Sequence, residues 1–308
     1  MSRLIERALL ALAWGAAGGA LWLAGCASKP AVDAAKKEAA VAVQQPASSP
    51  KPAEPVAVQV YAAGSLREAL TRIARDHEAR TGQRVQLTFG PSGLLRERIA
   101  KQGAPGAAAA DAGPRAQVFA SANMAHPRQL AEGGGWQAPV VFTRNQLCLL
   151  TSDKLHVVPA TVLGTLLRPE VRLGTSTPGA DPAGDYAWAF FRLAEAQQPG
   201  AYAQLDAKAL KLSGGPASPQ PPAGRSAYAW LMDEGRADAY LTYCTNAVAA
   251  RREVPRLQVV QLPPGLAVGA DYGLTVRADA PAAAQQFAKA VLEAPAQQVL
   301  RNLGFGTP

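Results

Sequence analysis

After residue 55 the chain alternates between two patterns of apolar positions. Residues 56–61 alternate apolar and polar side chains, as a strand does, and residues 66–77 place apolar side chains at helical spacing. The plan repeats with a strand at residues 85–89 and a helix whose apolar positions begin at Leu94. Strands that alternate with helices favour a mostly parallel sheet with helices on both faces. The pattern therefore predicts the α/β class.

The same reading continues to the end of the chain. Strands are predicted at residues 117–120, 139–150, 171–174, 239–243 and 269–276, and helices at residues 126–133, 183–196, 226–234, 281–292 and 295–303. Residues 103–113, rich in glycine and alanine, and residues 213–224, rich in glycine and proline, are predicted as loops.

A serine stands where each of the first two strands is followed by its helix. Ser65 has Glu68 three residues later, the spacing of a capping box, and Ser92 holds the same place before the second helix. Helix N-termini carry free N–H groups and about half a positive charge, so two that converge would bind an anion without a basic side chain. The alternative for either serine is a helix cap and nothing more.

Five segments resemble, in their order and spacing, the periplasmic molybdate-binding proteins that serve ABC importers. They are YAAGSL from Tyr61, FGPSGL from Phe89, FTRN from Phe142, DPAGDYA from Asp181 and YLTY from Tyr240. The similarity extends over residues 56–305 and implies the two-lobed periplasmic binding protein fold (type II). Each lobe would be a mixed, mostly parallel sheet flanked by helices.

The resemblance also implies a domain plan and a function. Lobe one would comprise residues 56–141 and 274–308, and lobe two residues 142–273 with the crossover strands. Two chain crossings would form a hinge that closes the lobes on a ligand. The protein would capture molybdate or tungstate as transported ligand, with no cofactor, and deliver it as a monomer to a permease driven by a separate ATPase. The alternatives are another oxyanion or a sulfonate as ligand, or a lipid-anchored sensor without a role in transport.

The resemblance assigns the ligand to five residues. Ser65 and Ser92 would donate from lobe one, Ala183 and Arg225 through backbone N–H groups, and Tyr243 through its hydroxyl. Such a set suits a dianion that cannot donate hydrogen bonds and involves no metal ion held by side chains. The family commonly has a small apolar residue at the position of Arg225, whose guanidinium would strengthen the binding of any dianion. Alternatively, the Arg225 side chain reaches solvent and only its main chain matters.

The N-terminal residues resemble a lipoprotein signal peptide. Arg3 and Arg7 precede an apolar stretch over residues 8–23, and Leu23-Ala24-Gly25 leads to Cys26 as a lipobox. Cleavage after residue 25 and lipidation of Cys26 would anchor the protein to a bacterial membrane, on its extracytoplasmic side. A transmembrane anchor and an ordinary secretory signal are the alternatives. Residues 26–55 then form the lipidated cysteine and a flexible tether without aromatic residues.

Charge and reactive residues exclude other classes of protein. The net charge is +8, but the arginines are scattered and form no nucleic-acid patch; a positive field would instead speed the capture of a dianion. Three histidines lack the spacing of a catalytic triad or a metal site, and Leu94 interrupts the nucleophile motif G-x-S-x-G. We therefore expect no enzyme activity. Cys148 and Cys244 would form a disulfide in an oxidising periplasm, or remain two buried thiols.

Overall fold

The computed structural model describes residues 56–102 and 114–308. The expected signal peptide, the lipidation of Cys26, the tether up to residue 55 and the predicted loop at residues 103–113 lie outside these residues. The strands are β1 (Val58–Ala63), β2 (Val85–Gly90), β3 (Val118–Ser121), β4 (Val140–Thr151), β5 (Leu173–Ser176), β6 (Leu210–Ser213), β7 (Ala239–Tyr243), β8 (Gln258–Gln261) and β9 (Gly269–Val276). The helices are α1 (Arg67–Thr81), α2 (Ser92–Gln102), α3 (Ala125–Glu132), α4 (Val162–Leu167), α5 (Pro182–Gln197), α6 (Ala201–Lys208), α7 (Ala227–Asp233), α8 (Cys244–Glu253), α9 (Ala282–Leu292) and α10 (Ala294–Asn302).

The strands of the described residues form one mixed sheet. Their order is β2-β1-β3-β9-β4-β7-β5-β6, and β8 pairs with β4. Strands β2, β1 and β3 are parallel, as are β6, β5 and β7, whereas β9 is antiparallel to both β3 and β4. The predicted α/β class of fold is confirmed.

Strand β4 is shared by two halves of the sheet. Its residues 140–146 pair with β9, and its residues 147–151 pair with β7 and β8. We call β2, β1, β3 and β9, with the helices that pack on them, the first half, and β7, β5, β6 and β8 with their helices the second half. The two strands expected to carry the chain between lobes, β4 and β9, are therefore neighbours in the middle of the sheet.

Burial explains why the first elements form where they do. All residues of β1 except Gln59 are buried, as expected for a strand with parallel neighbours and helices on both faces. Helix α1 buries Ala69, Leu70, Ile73, Ala74 and His77, which share one face at helical spacing. The same apolar residues that predict the helix thus attach it to the sheet.

The two serines do not cap their helices, contrary to expectation. Ser65 lies inside a 3₁₀ turn, Gly64–Leu66, and α1 begins only at Arg67 without a side-chain cap. The Ser92 hydroxyl accepts a hydrogen bond from the backbone of Ala122 at 3.1 Å and not from its own helix. Both side chains are bound to distant elements, which local spacing does not reveal.

A disulfide joins Cys148 of β4 to Cys244, 96 residues later. Cys244 is the first residue of α8 and directly follows the last residue of β7, Tyr243. Throughout residues 56–102 and 114–308, each helix is too short or too polar to span a lipid bilayer.

Candidate functional site

A cavity of about 1400 Å³ opens where several strands end. Its wall includes residues at or just after the carboxyl ends of β1, β2, β3, β6 and β7, namely Ala63, Gly90, Ala122, Ser213 and Tyr243. Ligands of open α/β sheets bind outside the carboxyl ends of the strands. Strand β3 runs opposite to β7, because β9 and β4 lie between them and each neighbouring pair is antiparallel, so the carboxyl ends of the two groups of strands approach the cavity from opposite sides. Both halves of the sheet contribute to the wall.

Four of the five residues assigned to the ligand line this cavity. They are Ser65, Ser92, Arg225 and Tyr243. Ala183 is fully buried and does not reach the wall, although Asp181, two residues earlier, does. The structure thus brings the two serines and the tyrosine together from three separate stretches of the chain.

Ser65 is held by a chain of polar side chains beneath the cavity. Its hydroxyl lies 3.0 Å from the hydroxyl of Tyr272, which accepts a hydrogen bond from the amide of Asn145 at 3.3 Å. Burial raises the pKa of Tyr272 well above its ordinary value, so this phenol stays protonated. When Tyr272 donates to Ser65, the serine proton is left for a ligand.

Ser92 and Tyr243 meet at the backbone of Ala122. The Ala122 N–H donates to Ser92, and the Ala122 carbonyl accepts from the Tyr243 hydroxyl at 3.2 Å. Burial raises the pKa of Tyr243 far above its ordinary value, so its hydroxyl also remains a donor. Within the part of the chain that the structure describes, no acceptor takes the Ser92 proton. Ser92 is consequently ready to donate to an anion, whereas Tyr243 would first have to release Ala122.

The backbone donors expected from the second half are already engaged. The Ala183 N–H donates to the Asp181 carboxylate at 3.1 Å, and Asp181 is the N-cap of α5. The Arg225 N–H donates to the carbonyl of Pro222 at 3.1 Å. An anion would therefore have to compete with protein acceptors for both groups.

Asp181 is an acidic residue in the wall that the resemblance did not single out. Burial raises its pKa to about 6; the Ala183 N–H and the Ser176 hydroxyl oppose the shift, and Asp185 adds to it. The residue was part of the DPAGDYA segment, and an Asp directly before a Pro is a typical start of a helix. That signal identified a cap but did not indicate that the cap faces the cavity.

The Arg225 side chain is held in ion pairs at the cavity wall. Its Nε lies 2.7 Å from Glu253 and its Nη2 lies 3.1 Å from Asp233. These carboxylates hold the pKa of the guanidinium above its ordinary value. Because its Nε and Nη2 are both bound to carboxylates, the guanidinium is not directed at an anion in this structure.

Other basic side chains do border the cavity. Arg67, Arg72 and Arg75 are exposed on one side of α1 and line the wall, and the Arg67 guanidinium lies 4.5 Å from the centre of the Phe89 ring. We call these three the cationic face of α1. Among residues 56–102 and 114–308, no group of three or more His, Cys, Asp or Glu side chains could hold a metal ion.

The two halves touch at the edge of the cavity. The Gly93 N–H at the start of α2 donates to the carbonyl of Ala180, in the loop before α5, at 2.9 Å. A Cβ on Gly93 would stand only 2.2 Å from the Gly179 carbonyl oxygen, so no larger residue fits this contact. The start of α2 and the loop before α5 therefore meet backbone to backbone.

A family model described as "bacterial extracellular solute-binding protein" matches residues 58–306. The chain belongs to this family. Its members are binding proteins of ABC importers and not enzymes, which confirms the expectation of no enzyme activity. At the level of the family, the partners of the protein are a permease, an ATPase and a small ligand.

Individual relatives of this solute-binding protein differ in what they bind. A protein of Pasteurella multocida (strain Pm70), the uncharacterized PM1146, is 34% identical over 218 residues, 70% of this chain and 86% of its own length. PEB3 of Campylobacter jejuni, solved with bound L-phospholactate, is similar with a TM-score of 0.62 and 16% identity, over 82% of this chain and 100% of its own. The periplasmic molybdate-binding protein of Azotobacter vinelandii is similar with a TM-score of 0.62 and 18% identity, over 82% of this chain and 99% of its own. At identities of 16% and 18%, the likeness to these two structures shows a shared fold, which confirms the predicted periplasmic-binding-protein type of fold.

Proposed function

We propose that the protein captures a small anion with a tetrahedral oxyanion group and delivers it to an ABC permease. One observation carries this proposal: three residues with hydroxyl groups, Ser65, Ser92 and Tyr243, line a single cavity between the carboxyl ends of strands from both halves of the sheet. The Ser92 proton has no acceptor in the described part of the chain, and the Ser65 proton is available when Tyr272 donates to Ser65. Hydroxyl donors at the start of two helices favour a negative ligand, because the helix termini add positive potential.

Molybdate or tungstate is the first candidate ligand. The order of the five segments supports it, and so do the two serines, which are the donors that a fully ionised dianion requires. Ala183 and Arg225 support it less, because their N–H groups are bound to protein acceptors.

An organic molecule that carries an oxyanion group is the second candidate ligand. The cavity volume of about 1400 Å³ exceeds the roughly 300 to 1,000 Å³ usual for sites that enclose a drug-sized ligand. A bare tetrahedral anion would leave most of that space to water. The cationic face of α1 offers further charge for a ligand with a second anionic group, and PEB3 shows that this fold accommodates an organic phosphate.

The expected lobes and anchor belong to the same proposal. Lobe one (residues 56–141 and 274–308) and lobe two (residues 142–273) would hinge at β4 and β9, which agrees with the place of these strands between the halves of the sheet. A lipid on Cys26 would keep the protein beside its permease. The loss of ligand uptake on deletion of the permease would distinguish an importer component from an anchored sensor.

Calorimetry with the Ser65→Ala and Ser92→Ala variants tests the proposal. The protein is titrated with molybdate, tungstate, sulfate, phosphate and glycerol phosphate. We expect at least one of these anions to bind, and each variant to bind it about 10- to 150-fold more weakly, because a donor to a charged ligand contributes about 1.5 to 3 kcal/mol.

Ser152→Ala is the matched control. The Ser152 hydroxyl oxygen is buried without a hydrogen-bond partner in the described part of the chain and lies outside the cavity wall, so binding should stay unchanged. Tight molybdate and tungstate binding would select the first candidate, and tight binding of glycerol phosphate alone the second. If none of the five anions binds, or if the two serine variants bind as the parent does, the proposal is wrong.

A further inference from the structure

We propose that Asp181 makes this cavity selective for anions that can donate a hydrogen bond. The inference rests on the proposed function, since it names the class of oxyanion that the same cavity accepts, and it favours the second candidate ligand over molybdate and tungstate. Molybdate, tungstate and sulfate are fully ionised at neutral pH and only accept hydrogen bonds. Hydrogen phosphate and hydroxylated organic anions carry an O–H group and can also donate.

The position of Asp181 is the first step of the argument. It is the N-cap of α5, a helix of 16 residues, and it is half-buried, with its exposed part at the cavity wall. Its Oδ1 accepts from the Ala183 N–H, which fixes the side chain. Its Oδ2 lies beside Gly214, another residue of the wall. Because each carboxylate oxygen has two lone pairs, the side chain can accept a further hydrogen bond from a ligand beside those of the Ala183 N–H and the Ser176 hydroxyl.

The surrounding backbone leaves room for this carboxylate. Gly214 has a φ of +75°, and a Cβ there would lie 2.4 Å from the Cβ and 2.5 Å from the Oδ2 of Asp181. A side chain at residue 214 would thus displace the carboxylate as well as strain the turn. The carboxylate and the glycine fit each other.

Asp181 differs from the other acidic residues of the wall, which are Glu68, Asp76 and Glu253. Asp76 is exposed to solvent, whereas Asp181 is partly buried. Glu68 and Glu253 form ion pairs, with Arg252 and Arg225 respectively. Across residues 56–102 and 114–308, no basic side chain forms an ion pair with Asp181. Its negative charge is therefore not neutralised and acts on whatever enters the cavity.

A carboxylate of this kind discriminates between oxyanions of equal size and charge. When a fully ionised dianion binds, its oxygens and the Asp181 carboxylate oxygens are all acceptors, so no hydrogen bond forms between them. Their approach then costs free energy in a partly buried site. From an anion with an O–H group the carboxylate accepts a short, charge-assisted hydrogen bond. The serine donors attract both kinds of anion, so the difference between them arises at Asp181.

Inorganic phosphate and sulfate are the matched pair of probes. At pH 8 both are tetrahedral dianions of similar size, and only hydrogen phosphate carries a proton. We expect the full chain to bind phosphate at least about tenfold more tightly than sulfate in calorimetry, the effect of one charge-assisted hydrogen bond. In Asp181→Asn the amide can donate to sulfate, and the preference should fall below about threefold, mainly through tighter sulfate binding.

Two further variants control for folding and for charge. Asp181→Ser keeps a side-chain oxygen at the N-cap of α5 and should lose the preference in the same way. Asp185→Asn removes a carboxylate of the same helix that lies outside the cavity wall, and it should keep the preference. Melting temperatures of all variants verify that each is folded.

The outcomes separate this inference from the proposed function. If phosphate and sulfate bind equally well to the parent, or if Asp181→Asn retains the preference, the selective role of Asp181 is refuted while oxyanion capture stands. If neither probe binds and molybdate, tungstate and glycerol phosphate also fail, both proposals are wrong. Tight molybdate binding with no detectable phosphate binding would likewise refute the role of Asp181 alone.

Discussion

Asp181 links the site to the pH dependence of stability. Its pKa is about 6 in the folded protein, against an ordinary value of 3.8. Since the folded state holds this proton more tightly than the unfolded chain does, the resulting stabilisation is complete below about pH 4 and is lost as the pH rises through about 6. The titratable groups near Asp181 are Asp185 of α5, Tyr228 of α7, Tyr240 and Tyr243 of β7, and Tyr272 of β9.

The expected result is a difference between the parent and Asp181→Asn that changes with pH. From about pH 4 to pH 7 the free energy of unfolding of the parent should fall relative to the variant by about 3 kcal/mol, which is two pKa units of differential ionisation. Urea denaturation of both proteins at several pH values measures it. A difference that stays constant over this range would mean that the Asp181 carboxyl is not perturbed in the folded protein.

Ser65 shows what sequence can and cannot tell at the scale of a residue. Its type, its place after a strand and Glu68 three residues later satisfy the rule for a helix cap, yet in the structure Ser65 lines the cavity and caps no helix. Its partner is Tyr272, 207 residues away, and the partner of Ser92 is Ala122. Local spacing holds no information about such contacts, because they depend on which strands become neighbours in the sheet.

At the scale of elements, the long and strongly patterned segments were predictable. Strand β9 occupies the expected residues, and β4 and α1 agree with expectation within a few residues, because each has a buried face of regular period. Helix α6 and strands β6 and β8 are short, with no strong pattern, and were not predicted. Strands β6 and β8 form by pairing with β5 and β4, and α6 packs on α5, so their presence depends on contacts with distant parts of the chain.

The start of α2 and the loop before α5 meet in a contact that only glycine permits. Gly93→Ala would place its Cβ against the carbonyl oxygens of Gly179 and Ala180, at 2.2 and 2.7 Å. The two elements must then move apart, and the cavity between them widens. We expect oxyanion binding to weaken by about 5- to 150-fold, the equivalent of the 1 to 3 kcal/mol usual for an overpacked contact.

Gly164→Ala is the control for this element-scale prediction. Gly164 lies in helix α4, and an added Cβ would meet no atom within 4 Å. Binding by this variant should match the parent in calorimetry. Unchanged binding by Gly93→Ala would show that the approach of these elements is not needed to hold the ligand.

At the scale of the whole molecule, the disulfide restricts the unfolded chain more than the folded one. It joins residues separated by 96 positions, and in the chain-entropy model a loop of that size contributes about 4 to 5 kcal/mol to stability. Reduction should therefore lower the melting temperature clearly, with the double variant Cys148→Ser/Cys244→Ser behaving like the reduced protein. Equal melting temperatures with and without reductant, in a sample whose thiols are verified as free, would contradict this.

The distribution of charge over the molecule decides how fast it captures its ligand. The net charge of +8 is spread along the chain, and at 0.1 M salt charges farther away than about 10 Å are largely screened. The arginines that affect capture are then those at the cavity. Arg72 and Arg75 of the cationic face of α1 are exposed there, whereas Arg225 is held in ion pairs.

We expect Arg72→Gln/Arg75→Gln to slow the association of the best-bound oxyanion several-fold at low salt, and the difference in rate to disappear near 1 M salt. Arg128→Gln/Arg236→Gln removes the same charge from two exposed positions outside the cavity wall and should leave the rate nearly unchanged at 0.1 M salt. Stopped-flow measurements on the three proteins compare the rates, and an equal loss in both double variants would assign the steering to the net charge of the molecule and not to α1.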